Sequence, residues 1–178
     1  MNLDLLTLMW VMLLASLTLA FSVLVVEWRA DEHDGLSSWG LGLLCHACSY
    51  PLFALRLSGL LLASVIGTTL ANSAAMALFG LAVKRFQQGR GPTVPSALLW
   101  APVPLTMALS ALTYNSNQWR TVSNTFALCT QAGFIGWMSW APGLAGARER
   151  GRVLLTAGSG ILIVTFVART LQAATPTS

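Results

Sequence analysis

Charged residues are scarce in this sequence. Only 10 Lys and Arg and 6 Asp and Glu occur among its 178 residues, so charged residues make up 9% of the chain. Soluble globular domains carry about 25% charged residues, because their surfaces must face water. The low charge therefore excludes a soluble domain. The sequence is instead 55% hydrophobic, and its mean hydropathy of +0.67 is typical of a helical membrane protein.

The interiors of the long apolar runs contain no carboxylate. Every acidic residue lies in a loop or at the end of a run, at Asp4, Glu27, Asp31, Glu32, Asp34 and Glu149. An acid–base pair inside the membrane is therefore absent from the sequence, and a proton-coupled carrier would usually need such a carboxylate. We predict that the chain is not an enzyme and holds no cofactor.

Other common signals are missing as well. The basic residues occur in small groups between apolar runs and form no long stripe, which argues against nucleic-acid binding. The three cysteines, Cys45, Cys48 and Cys129, fall inside the runs and indicate no disulfide framework. The first run, from Leu3 to Val26, is longer than the apolar part of a signal peptide and has no basic segment before it. We expect it to be retained as a membrane span.

Six apolar runs are each long enough to cross a bilayer as a helix. Their predicted limits are 3–27, 36–56, 58–83, 96–114, 119–141 and 152–173. Short links join the second span to the third and the fourth to the fifth. The predicted fold is therefore all-α, an up-down membrane bundle of six transmembrane helices in a single domain, residues 1–174, with a frayed tail at 175–178.

The distribution of Lys and Arg predicts the orientation of this bundle. The first, third and fifth loops carry Arg29, Lys84, Arg85, Arg90, Arg148, Arg150 and Arg152, whereas the opposite side carries Arg56, Arg120 and Arg169. Because the cytoplasmic side is usually the more basic one, we expect these loops in the cytoplasm. Both termini would then lie outside.

The third span combines small residues with a polar one. Gly59, Ala63, Gly67, Ala71 and Ala75 recur at every fourth position, a ridge that another helix can approach closely. Asn72 lies near the middle of the same span, one turn after Thr68. Its amide needs a partner inside the bundle, either a second helix or a ligand.

A polar stripe runs along the fifth span. At 100° per residue, Arg120, Asn124 and Gln131 point within about 40° of one another, and they descend roughly 16 Å toward the membrane midplane. Such a stripe should line the bundle interior. Two roles of this stripe are equally favoured: structural hydrogen bonds between helices, or one wall of a binding groove.

Three arginines are predicted at the same depth. Arg56 ends the second span, Arg120 begins the fifth, and Arg169 lies near the end of the sixth. Lipid phosphates and water could neutralise them, or they could converge on a bound anion with Asn72, Asn124 and Gln131 extending the site inward. Guanidinium groups suit carboxylates and phosphates, so the expected ligand is a small acidic or phosphorylated molecule, or a lipid headgroup.

The segment Cys45-His46-Ala47-Cys48 offers metal-binding side chains at an unfavourable spacing. On a helix His46 points about 100° away from Cys45, and a second histidine at membrane depth is missing for haem. A buried structural His46 is the simpler interpretation. Kinks are expected at Pro51, Pro102 and Pro104.

With these spans in place, the chain resembles the N-terminal multi-helix membrane sensor region found ahead of GGDEF diguanylate cyclase domains in bacteria. The residues that carry the resemblance, up to about Ala174, are Leu3-Asp4-Leu5, Trp39-Gly40-Leu41-Gly42, Leu55-Arg56, Leu70-Ala71-Asn72, Gly80, Arg85-Phe86, Tyr114, Arg120 and Ala168-Arg169. Relatives of this kind usually continue into a seventh helix and the cyclase, and this chain ends before either. The resemblance implies a sensory input domain in the bacterial inner membrane, working as a homodimer within cyclic-di-GMP signalling.

Three functions follow as hypotheses. The first is a sensor, with partners limited to membrane lipids, a small anionic or amphipathic ligand and a signalling partner, and no nucleic acid. A small transporter or accessory membrane subunit is the alternative, and a haem-binding redox protein is the third. A sensor should be colourless and show a ligand-dependent thermal shift, a carrier should move solute in liposomes, and a cytochrome should be red.

Overall fold

A computed structural model describes residues 5–29, 35–87, 93–140 and 147–174, except for the side chains of residues 5, 6, 147–150, 152, 169, 173 and 174. The described residues form α-helices and one short 3-10 helix, and no β-strand occurs among them. The predicted all-α fold is confirmed. The helices are α1 (Leu5–Arg29), α2 (Leu36–Ala54), the 3-10 helix (Leu55–Ser58), α3 (Leu61–Phe86), α4 (Ser96–Trp100), α5 (Pro102–Leu112), α6 (Asn117–Ser139) and α7 (Ala147–Ala174).

Helices α4 and α5 are two parts of one interrupted segment, separated by Ala101 alone. Pro102 has no N–H to donate to the preceding turn, so a continuous helix cannot pass through it without losing a hydrogen bond. Helix α2 instead continues through Pro51 and then tightens into the 3-10 helix. The described chain thus contains six helical segments, each within a few residues of a predicted span.

Four of the helical segments are long and apolar enough to cross a membrane: Thr7–Arg29, Leu36–Ser58, Leu61–Phe86 and Val153–Gln172. The interrupted segment Ser96–Leu112 is apolar but shorter. Helix α6 carries the polar stripe, which lowers its hydropathy although its length would suffice. These four helices are the structural evidence that the chain is a membrane protein.

One predicted helix start is wrong. The third helix begins at Leu61 instead of residue 58, because Gly59 adopts a left-handed backbone conformation with φ of 82° that terminates the 3-10 helix. The last helix begins at Ala147, before the predicted span 152–173, and its membrane-length apolar part, Val153–Gln172, matches that span. Its charged first turns can be helical without entering hydrocarbon, which hydropathy alone does not detect. The predicted tail, residues 175–178, lies outside the described residues.

Helix α3 is the centre of the bundle. It packs against α2, α5 and α6, while α1 lies against α2 and α7 against α6. A cluster of buried apolar side chains closes one half of the bundle, where the end of α3 meets α4 and the end of α6. Its members are Met76, Val83, Val94, Leu99, Ala132, Ile135 and Met138. The other half, around the starts of α3 and α6, is left for polar residues.

Small residues bring α2 and α3 together. A Cβ atom at Gly67 would lie 3.1 Å from the Leu52 side chain, and one at Gly42 would lie 3.2 Å from the carbonyl oxygen of Ala75. The prediction that another helix approaches the small-residue ridge is confirmed at Gly67 and Ala75, and that helix is α2. Gly59 is an exception, since it precedes α3 and nothing lies within 4 Å of a Cβ placed there.

A candidate ligand-binding cleft

A cleft of about 400 Å³ occupies the half of the bundle opposite the apolar cluster. Its walls come from the end of α2, the first half of α3, the middle of α5 and the first half of α6, with Met9 of α1 and Phe166 of α7 at its sides. This volume falls in the range of roughly 300–1,000 Å³ that is usual for small-molecule sites. The cleft could therefore hold a small organic molecule.

The cationic end of the cleft consists of Arg56 and Arg120. Arg56 lies in the 3-10 helix after α2, is exposed, and has its guanidinium 5.6 Å from the centroid of the Phe53 ring. Arg120 lies in the first turn of α6 and is only 8% exposed. Since the N-terminus of a helix is itself electropositive, Arg120 adds to a field of the same sign.

Local hydrogen bonds hold Arg120 in place. Its two terminal nitrogens donate to the backbone oxygen of Tyr114 at 3.1 Å and to Oδ1 of Asn117 at 2.6 Å. The hydroxyl of Ser116 caps the same helix by accepting from the N–H of Trp119 at 3.4 Å. The short link between α5 and α6 thus orients the guanidinium before any ligand binds.

None of the described residues that line the cleft is acidic. Glu27, which is buried, belongs to the last turns of α1, far along the helix from Met9. The two arginines therefore have no carboxylate among the described lining residues. A cleft with two guanidinium groups and no carboxylate is electrostatically suited to an anion.

A hydrogen-bonded group connects three helices beside the middle of the cleft, where Thr69 and Asn124 line it. The hydroxyl of Ser110 donates to Oδ1 of Asn124 at 3.0 Å, and Nδ2 of Asn124 donates to Oγ1 of Thr69 at 3.3 Å. These bonds join α5, α6 and α3. Because both ends of its amide are engaged, Asn124 forms part of the wall and fixes the spacing of the helices.

The inner end of the cleft consists of His46, Thr68 and Asn72, with Tyr50 beside them. Nδ1 of His46 lies 3.0 Å from Oδ1 of Asn72, and Nε2 lies 3.2 Å from the hydroxyl of Tyr50. An amide oxygen can only accept, so Nδ1 must carry a proton. In the neutral imidazole Nε2 then accepts from the Tyr50 hydroxyl. This chain of bonds joins α2 to α3.

Apolar side chains separate the polar groups of the cleft. Phe53, Val65, Leu128 and Phe166 all contribute to its walls. The cleft therefore has a cationic end, an apolar and hydroxyl-lined middle, and a polar inner end. Such a lining matches an amphipathic molecule better than a simple inorganic anion.

The structure brings four of the six predicted site residues to one cleft: Arg56, Asn72, Arg120 and Asn124. Gln131 does not line it. Its side chain is only 1% exposed. Its Oε1 accepts a hydrogen bond from the Ser73 hydroxyl at 3.2 Å, and its Nε2 donates to the carbonyl oxygens of Ser73 at 2.9 Å and Leu99 at 3.4 Å. Arg169 follows Phe166 by less than one turn of α7, and its side chain lies outside the described part of the chain.

Sequence reasoning missed His46, Tyr50 and Phe53 as cleft residues. A signal for His46 exists, because His46 and Asn72 lie equally far along the chain from Gly59, where α2 and α3 reverse direction. Two antiparallel helices joined by a short turn bring such positions together. Among the described residues, no group of three or more His, Cys, Asp or Glu is arranged to hold a metal ion.

Comparisons with known proteins give no match for this chain, whether with protein-family models, curated proteins or solved structures. The resemblance to the sensor regions of diguanylate cyclases therefore stays a prediction.

Proposed function

We propose that this chain is a non-catalytic, membrane-embedded sensor domain that binds a small anionic or amphipathic molecule in the cleft. The observation that carries the proposal is the placement of Arg56 and Arg120 at one end of a cleft whose described lining holds no carboxylate. An anionic headgroup would lie between the two guanidinium groups. The apolar part of the molecule would extend along Phe53, Val65 and Leu128.

In this proposal all six helical segments cross the membrane. The interrupted segment Ser96–Leu112 and α6 pack directly on α3, which is itself long and apolar enough to cross, so they would share its depth. The polar face of α6 is turned into the bundle, where Arg120 and Gln131 are buried. The excess of Lys and Arg in the first, third and fifth loops supports placing those loops in the cytoplasm and the cationic end outside.

A ligand in the cleft would contact several helices at once, which gives a route for a signal. The walls belong to α2, α3, α5 and α6, and Phe166 adds the last helix, α7. A ligand shifts an equilibrium between two arrangements only by binding one of them better. An arrangement with the helices closed on the ligand would change the position of α7. The output to a homodimeric, cyclic-di-GMP type partner rests on the resemblance alone.

The test uses the purified chain in nanodiscs of neutral phosphatidylcholine, with empty nanodiscs to correct for partitioning of the probe. The probes are radiolabelled decanoate and decylamine, which share an apolar chain but carry opposite charges. We expect saturable binding of decanoate alone, weakened about tenfold by Arg56→Gln, since a charge-assisted hydrogen bond contributes about that factor.

Arg29→Gln is the matched control, because Arg29 is an exposed arginine at the far end of α1 and does not line the cleft. It should bind decanoate as the unmodified chain does. Substitution of Arg56 tests the proposal better than substitution of Arg120, because the hydrogen bonds of Arg120 also hold the link between α5 and α6. The proposal is wrong if decanoate shows no saturable binding, or if Arg56→Gln and Arg29→Gln bind it equally.

A further inference from the structure

We propose that the inner end of the cleft is a second subsite, which recognises an oxygen atom of the ligand far from its anionic group. Thr68 and Asn72 would both donate hydrogen bonds to this oxygen. The inference rests on the proposed function and adds to it the chemical class of the ligand. This class is an anionic molecule with an apolar middle and a hydroxyl or carbonyl oxygen at the opposite end.

The Thr68 hydroxyl is the first observation. Its oxygen is fully buried and makes no hydrogen bond with another described group. Two other hydroxyls on the cleft walls are satisfied within their own helices: Thr106 donates to the carbonyl oxygen of Val103 at 2.9 Å, and Thr121 donates to that of Asn117 at 2.8 Å. A buried hydroxyl without a partner is unfavourable, and a hydrogen bond from Thr68 to a ligand oxygen would remove this cost.

The second observation is the orientation of the Asn72 amide. The bond from His46 occupies Oδ1 of Asn72, and the Tyr50 hydroxyl holds the imidazole from its other side. The amide is therefore fixed with its Nδ2 as the free half, and this nitrogen has no hydrogen bond with a described residue. His46 thus acts as a positioning residue. It presents two N–H donors of Asn72 to the cleft.

These two donors lie on one face of α3. Thr68 and Asn72 are four residues apart, which places their side chains one above the other on a helix. Asn124, a neighbouring polar residue of the wall, is already bonded to Ser110, which does not itself line the cleft. A ligand oxygen at the inner end would therefore find its donors at Thr68 and Asn72.

The depth of these donors sets the length of the ligand. Thr68 and Asn72 lie roughly 10 to 16 Å along α3 from its first residue, Leu61, at 1.5 Å per residue. Arg56 lies just before that end of the helix, and Arg120 opens α6 beside it. A phosphate ion or an acetate cannot reach both ends at once. An elongated anion with a terminal oxygen can.

The experiment compares decanoate with 10-hydroxydecanoate, which carries its hydroxyl at the opposite end of the chain from the carboxylate. Binding is measured with the full chain in neutral nanodiscs. We expect 10-hydroxydecanoate to bind about tenfold more tightly, the factor that buried hydrogen bonds to one oxygen provide. Thr68→Val removes the hydroxyl, keeps the shape and leaves the Asn72 donor, so it should reduce the ratio of the two affinities to about threefold.

Thr165→Val is the control, because Thr165 is exposed on α7 and its hydroxyl donates to the carbonyl oxygen of Ile161. It should leave the tenfold ratio unchanged. Equal affinities of the unmodified chain for the two probes would overturn the second subsite while leaving the anion site intact. A tenfold ratio that Thr68→Val leaves unchanged would also overturn it. Absence of saturable binding by either probe would instead overturn the proposed function.

Discussion

Nδ1 of His46 donates a hydrogen bond to Oδ1 of Asn72 across 3.0 Å, and this bond joins α2 to α3 about halfway through the bundle. Neither residue could remain at this depth without a polar partner, because hydrocarbon offers none. The same bond closes the inner end of the cleft and fixes the Asn72 amide. It therefore contributes both to helix packing and to the geometry of the candidate site.

The His46–Asn72 bond should contribute measurably to stability. His46→Leu and Asn72→Leu each leave a polar partner unsatisfied, so each should lower the free energy of unfolding by about 1–3 kcal/mol. In a double-mutant cycle the pair should show a coupling energy of about 0.5–1.5 kcal/mol, the range known for hydrogen bonds between membrane helices. Unfolding of the unmodified chain, the two single variants and the double variant by dodecyl sulfate measures this coupling energy. Strict additivity would mean that the bond does not form.

The close approach of α2 to α3 predicts the effect of a bulky residue at Gly67. Gly67→Leu should lower the melting temperature in detergent by several degrees, because even a Cβ there would be 3.1 Å from Leu52. Gly160→Leu is the matched control on α7, where nothing lies within 4 Å of an added Cβ. Its melting temperature should stay the same or rise. Equal effects of the two substitutions would contradict this packing.

The empty protein should tolerate Thr68→Val. The valine removes a buried hydroxyl that has no hydrogen-bond partner among the described residues and replaces it with a methyl group of similar shape. We expect the melting temperature without ligand to stay the same or to rise. The free energy of unfolding should increase by no more than about 1 kcal/mol. Ser110→Ala should destabilise, because it breaks the bond to Asn124. Destabilisation by Thr68→Val would show that its hydroxyl is already paired.

The orientation is tested with single cysteines in a background where Cys45, Cys48 and Cys129 are replaced by alanine. A cysteine at Ser116, in the link before α6, should react with an impermeant thiol reagent in intact cells. A cysteine at Thr93, in the exposed link before α4, should be protected until the cells are opened. Labelling at Thr93 alone would reverse the predicted orientation.

The helices were largely predictable because apolar runs of membrane length specify them. Their ends were less so, because the start of α3 depends on the positive φ of Gly59, which hydropathy does not encode. The break between α4 and α5 lies at Pro102, where the proline itself predicts an interruption of the helix. The early start of α7 was missed because its first turns are charged and helical at the same time.

The candidate site was predictable in part, through residues of equal depth and common helix face. Arg56 and Arg120 lie at one level, and both line the cleft. Gln131 shares the face of Arg120 and Asn124, yet its amide is bonded to Ser73 and Leu99. Helical periodicity gives the face of a residue but not the depth at which neighbouring side chains close a cleft. That depth is set by the apolar cluster around Leu99 and Met138.

The most direct test is a crystal structure of the chain with 10-bromodecanoate, whose bromine is located by anomalous scattering. The proposed function predicts the carboxylate between Arg56 and Arg120 and one bromine peak inside the cleft, toward His46, Thr68 and Asn72. A probe found only on the lipid-facing surfaces of α1 or α7, with the cleft unliganded, would contradict the proposal.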